Sequence, residues 1–135
     1  MLHLEPKFSG FGKQGEKVTE KNGVYILEGE GTDIGCNWVI KKEMKTPSLL
    51  EFEIRGKIDK QTPWTRLRIE IFDKEHDDEA ATSFEDEYLT VELDAKKFKH
   101  LSLPILGIVK SPQKVQFMVV GPAHSHLEMK NVTLR

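Results

Sequence analysis

The residues best suited to hold a ligand fall on one alternating segment. After Thr62-Pro63 the chain reads Trp64-Thr65-Arg66-Leu67-Arg68-Ile69-Glu70-Ile71-Phe72. A strand's period of two puts Leu67, Ile69 and Ile71 on one face and Trp64, Arg66, Arg68, Glu70 and Phe72 on the other. An indole offers a flat apolar surface for stacking, a guanidinium a planar fork of donors, and a carboxylate a set of acceptors. A later strand with Leu89, Val91 and Leu93 inward would add Tyr88, Thr90 and Glu92 to such a surface, and Arg55 and Gln116 could join from others. The competing reading makes Trp64 the cap on the end of a sandwich and Arg66, Arg68 and Glu70 members of cross-strand ion pairs, which contribute little at a surface.

Other reactive residue types lack the company that chemistry requires. Cys36 sits in Cys36-Asn37-Trp38-Val39-Ile40 with no cation before Lys41 to favour a thiolate, so it reads as a buried structural thiol. His124-Ser125-His126 would place two imidazoles on one strand face without the third ligand that a zinc or iron site needs, and reads as exposed turn histidines after Pro122. Asp73-Lys74-Glu75-His76-Asp77-Asp78-Glu79 alternates carboxylates as a calcium loop does. It puts Asp78 and Phe84 where an EF-hand needs Gly and Glu, and reads as a solvated acidic loop. No Gly-x-Ser-x-Gly, Cys-His signature or phosphate-binding glycine loop occurs, so no catalytic residue is assigned. Asn131-Val132-Thr133 is a glycosylation triplet, informative only in a secretory setting.

The elements that position these residues read as short strands. The chain has 135 residues, 38% hydrophobic and 31% charged, which fits a single domain spanning 1–135. Twenty Lys and Arg against 22 Asp and Glu give a net charge of -2, and neither nucleic acid nor a membrane surface is an expected partner. No apolar run reaches the ~18 residues of a membrane span, and the start MLHLEPKF lacks the pattern of a secretory leader. Asn22-Gly23 predicts a tight hairpin between Lys17-Val18-Thr19-Glu20 and Val24-Tyr25-Ile26-Leu27-Glu28. Gly29, Gly31 and Gly35 loosen the chain before a second strand from about Cys36 to Met44, with Trp38 in the core. Leu50, Phe52, Ile54 and Ile58 alternate with charged residues in a half-buried strand. Residues 73–87 read as an acidic connection, and 101–109 as an edge strand or loop. Residues 114–120 and 127–134 read as strands parted by a turn at Gly121-Pro122-Ala123. Eight or nine strands without helices predict an all-β antiparallel sandwich.

The closing segment Leu127-Glu128-Met129-Lys130-Asn131-Val132-Thr133-Leu134-Arg135 resembles the last strand of the galactose-binding-like jelly rolls, a fold used by many carbohydrate-binding modules. Phe8-Ser9-Gly10-Phe11-Gly12, the Asn-Gly hairpin, and the Trp38 strand followed by a Pro-started strand occur in a similar order. The resemblance implies a noncatalytic module that binds a polysaccharide or oligosaccharide, with Trp64, Arg66, Arg68, Glu70, Tyr88 and Glu92 as candidate ligand-binding residues. It also implies an extracellular place if the module belongs to a secreted glycoside hydrolase. The alternative class is a protein-interaction or assembly sandwich using Trp64 and Phe72 as a contact, with a small β-barrel enzyme third. Lys130 stands where those modules commonly carry an acidic calcium ligand, so no cofactor is expected and structural calcium is disfavoured. Met129 and Val132 are both apolar but an odd number of positions apart, which predicts a bulge near Lys130 and Asn131.

Overall fold

The computed structural model describes residues 2–4, 7–11, 15–74, 79–85, 93–105 and 109–135. Among them run nine strands: β1 (Leu2–His3), β2 (Phe8–Gly10), β3 (Glu16–Lys21), β4 (Val24–Val39), β5 (Leu49–Lys60), β6 (Arg66–Asp73), β7 (Ala80–Glu85), β8 (Lys99–Pro104) and β9 (Pro112–Leu134). Every pairing is antiparallel. The hairpin forms at Asn22-Gly23, where both φ angles are positive, at 53° and 80°. That is the backbone such a two-residue turn requires.

Two long strands organise the rest. The first half of β4 pairs with β3 and its second half with β2. The first half of β9 pairs with β6 and its second half with β5. Each long strand therefore belongs to both layers of a sandwich. One layer runs β2, β4, β9, β6, β7, and the other β3, β4, β9, β5, β8, with β1 on the end of β9. Alternation buries one face of each layer against the other. The core is threaded by Tyr25, Phe8, Trp38, Phe117 and Phe52, whose successive ring contacts have centroids 4.9 to 5.1 Å apart. The Phe52 to Phe117 contact joins the two layers. Trp38 is fully buried, as its strand pattern required.

Both long strands change layer at the same level. On β4 the register slips between Thr32 and Ile34, where Asp33 has φ of 57°. On β9 Gly121 has φ of 92°. The Asp33 carboxylate accepts a 2.7 Å hydrogen bond from the Gly121 N–H and ties the two bends together. The expected turn at Gly121-Pro122-Ala123 is thus a bend within one 23-residue strand. Glycine and proline mark a departure from a flat strand, and the neighbouring β4 decides that it is a corner. Likewise Gly29 to Gly35 do not interrupt β4. The segment read as an acidic connection contains β7, an edge strand of small residues hidden between charged flanks, paired with β6. Lys99–Pro104 forms an edge strand against β5. The bulge at the end of β9 is present: between Glu51 and Glu53 the partner moves from Thr133 to Lys130, and Asn131 has φ of 52°. Of the strand expected to carry Leu89 and Val91, only Leu93 is among the described residues.

Candidate functional site

The outer face of the β2-β4-β9-β6-β7 layer collects most of the candidate residues. On β6, Leu67, Ile69 and Ile71 are fully buried, which leaves Arg66, Arg68, Glu70 and Phe72 pointing outward. Pairing then sets their neighbours. Ser9, Asn37, Gln116, Glu70 and Ser83 form one polar row across five strands. Within it the Ser9 hydroxyl donates to the Asn37 side-chain oxygen at 3.2 Å, and the Gln116 amide donates to Glu70 at 3.2 Å. On one side of this row lie Gly35, Met118, Arg68 and Glu85, and on the other Val39, Lys114 and Phe72. Lys114 places its ammonium 4.2 Å from the centre of the Phe72 ring. Asn37, Val39, Phe72, Gln113 and Lys114 line a depression of about 290 Å³ at this end.

The electrostatics centre on Glu85, a partner that sequence reasoning missed inside the acidic run. Its carboxylate receives Arg68 at 2.8 and 3.1 Å and also pairs with Arg66. The hydrogen bond from Arg68 holds the Glu85 carboxyl below its ordinary range, and the same bond raises Arg68. Both guanidiniums are therefore committed within the protein. The cross-strand ion pairs expected of Arg66 and Arg68 exist, with Glu85 in place of Glu70.

Trp64 lies at the rim, in the turn before β6, and not on its ladder. It is 55% exposed, the one large hydrophobic side chain so exposed among the described residues. The turn is anchored on the corner: the Gln61 N–H and the Thr65 hydroxyl both donate to the Pro122 carbonyl, at 3.1 and 2.9 Å. The Trp64 ring rests against Gly121, with Cζ3 2.6 Å from where a Cβ would stand. With Pro63, Thr65 and Arg66 it borders a second depression of about 200 Å³.

Tyr88, Thr90 and Glu92 lie outside the described residues. Gln116 joins the face as expected, but Arg55 does not. It points outward from the opposite layer, where it pairs with Glu128 at 3.0 Å and covers the Phe98 ring. Alternation assigns a side chain to a face of its own strand, whereas the layer is set by strand pairing. Asn37 and Met118 also lie on this face, and Phe11 stands over its Gly35, none of them among the expected ligand-binding residues. Asn37 was readable, since it alternates with buried Cys36 and Trp38; Met118 and Phe11 needed the topology.

The remaining chemistry resolves into structural roles. Burial pushes the Cys36 thiol far up, with Glu16 adding to the effect, so it is no nucleophile. His124 and His126 are exposed on β9 itself, not on a turn. His126 sits 3.1 Å from both Glu28 and Glu128. Among the described residues no three His, Cys, Asp or Glu side chains are grouped to hold a metal. Asp73, from the acidic loop, is buried and accepts from the Lys110 and Ser111 N–H groups at 2.7 and 3.3 Å, a turn-capping role. Glu75 to Asp78 lie outside the described residues. Lys130 stands over Phe98 at 4.2 Å.

In sequence, no protein-family model and no curated protein matches the chain. In structure it is similar to carbohydrate binding module family 29. One such structure has a TM-score of 0.64 at 16% identity, covering 94% of this chain and 77% of that one. A variant complexed with cellulohexaose gives 0.64 at 15% identity, with 94% and 79% covered. A variant complexed with mannohexaose gives 0.63 at 16%, again with 94% and 79% covered. At this identity the likeness is one of fold: a carbohydrate-binding-module type of β-sandwich.

Proposed function

We propose that this chain is a noncatalytic carbohydrate-binding module that binds a neutral β-linked polysaccharide on the outer face of the β2-β4-β9-β6-β7 layer. The observation that carries the reading is the composition of that face. A row of hydrogen-bonding side chains is flanked by half-buried apolar ones, and an exposed tryptophan stands at the rim, on a fold whose similar structures include complexes with cellulohexaose and mannohexaose. Stacking on rings supplies area, and planar polar groups select the hydroxyl pattern. Trp64, Arg66, Arg68 and Glu70 are assigned to ligand contact, as are Tyr88 and Glu92, which lie outside the described residues.

The charge pairing supports a neutral ligand. A free guanidinium pair would grip a carboxylate in two-pronged fashion. Here Glu85 already occupies both guanidiniums, and Glu70 places a further negative charge on the face. Affinity electrophoresis against soluble polysaccharides tests the reading. Retardation by neutral β-glucans or β-mannans is expected, and no retardation by any glycan overturns it. Raising ionic strength should leave the affinity nearly unchanged, because screening weakens ionic contacts far more than stacking. A steep loss in salt would reject the neutral ligand.

A further inference from the structure

Phe11 follows β2 and lies where that strand's pairing would place it opposite Gly35. Its Cζ and Cε2 atoms stand 2.5 and 2.6 Å from the position a Gly35 Cβ would take. A side chain at position 35 would meet the ring and also the Phe117 carbonyl oxygen, 2.7 Å from that position. Phe11 is half-buried, and the β2 register turns it to the outer side of the layer, whereas Phe8, three residues earlier, packs against the core. Trp64 is seated in the same manner, its ring against Gly121. Two rings thus rest directly on backbone at positions without a Cβ, one at each margin of the candidate face.

We propose that Phe11, seated on Gly35, is a second stacking platform, so that a bound glycan crosses the face obliquely from Phe11 over Met118 and Arg68 to Trp64. This rests on the reading of that face as a glycan site. The two rings come from segments three strands apart in the layer, Phe11 after β2 and Trp64 before β6, and they lean onto Gly35 of β4 and Gly121 of β9. Met118 pairs with both Gly35 and Arg68, so an apolar side chain bridges the interval. The polar row of Asn37, Gln116 and Glu70 borders the path and supplies hydroxyl partners. Gly35 leaves open the space that the ring fills.

The test is calorimetric titration with cello- and manno-oligosaccharides of increasing length. Wild-type affinity should rise with length until one oligomer reaches both rings, then level off. Phe11→Ala should weaken binding of the long oligomers roughly tenfold, the order expected for loss of one stacked ring. It should shift the plateau to shorter oligomers and leave thermal unfolding nearly unchanged. Phe11→Leu, which keeps apolar bulk without a ring face, should show the same loss, and Phe11→Tyr should restore affinity. Full affinity of Phe11→Ala and Phe11→Leu for a glycan that the wild type binds would overturn the platform while leaving the site intact. Absence of any wild-type glycan binding would overturn both.

Discussion

Trp38 and Trp64 show how far position outweighs residue type. The Trp38 indole is fully buried between Phe8, Tyr25 and Phe117, while Trp64 stands at the rim. Trp38→Ala should cost about 3 to 5 kcal/mol through the cavity it leaves, read as a shift of the urea midpoint, whereas Trp64→Ala should leave the midpoint nearly in place. The Trp38 Nε1–H is buried without a hydrogen-bond partner among the described residues. Trp38→Phe should therefore lose much less than Trp38→Ala, because it removes volume without orphaning an acceptor. Comparable large losses for Trp38→Ala and Trp64→Ala would show that the rim position is wrong. Cys36, buried and with its thiol pushed up, should react with a thiol reagent only on unfolding.

At the scale of elements, the corner shared by β4 and β9 is the device on which the candidate site depends. It carries the Trp64 turn on its outside and separates the two layers' registers. Asp33→Ala would leave the Gly121 N–H without its partner and should destabilise by about 1 to 3 kcal/mol in denaturant unfolding. Asp33→Asn keeps an acceptor and a residue that tolerates positive φ, and should be nearly neutral. Charge pairs join other strands. Glu85 lies below its ordinary value of 4.5 chiefly because of the Arg68 hydrogen bond. At Glu128, desolvation alone would raise the carboxyl, but hydrogen bonds from Arg55 and His126 outweigh it and hold it below 4.5. A depressed folded-state value contributes stability that is fully present above 4.5 and is lost as pH falls through the lowered value. Thermal stability should therefore decline below about pH 4.5, and a Glu85→Gln, Glu128→Gln double variant should be less stable at neutral pH and flatter through the acid range. An unchanged acid profile in the double variant would remove these two carboxylates as its cause.

For the molecule as a whole, the expected behaviour is that of a preformed binding surface with no bound metal. Ligand that binds only the folded state raises its unfolding temperature by mass action. A neutral β-glycan should do so, and calcium should not, because Lys130 presents a cation at the closing-strand position. A melting temperature that drops on chelation would contradict the second expectation. The frame of the candidate site is the five-strand layer, whose outer face is set by a core that runs from Tyr25 through Trp38 and Phe117 to Phe52.

The sequence by itself determined which residues face in and which face out. Alternation in β5, β6 and β9 is enforced by the burial of one face, and the Asn22-Gly23 hairpin by backbone geometry, so both are local properties. The odd spacing of Met129 and Val132 sufficed for the bulge for the same reason. Which layer each strand joins was decided only by the tertiary structure, because β4 and β9 cross from one layer to the other at a corner made by two distant segments. Arg55 and Arg68 have the same outward character in sequence, yet they stand on opposite surfaces. Glu85 found Arg66 and Arg68, and Phe11 found Gly35, across strands whose pairing no local pattern specifies. Hydrophobic burial acts along each strand and is legible there; a ligand face is assembled across strands and requires the fold.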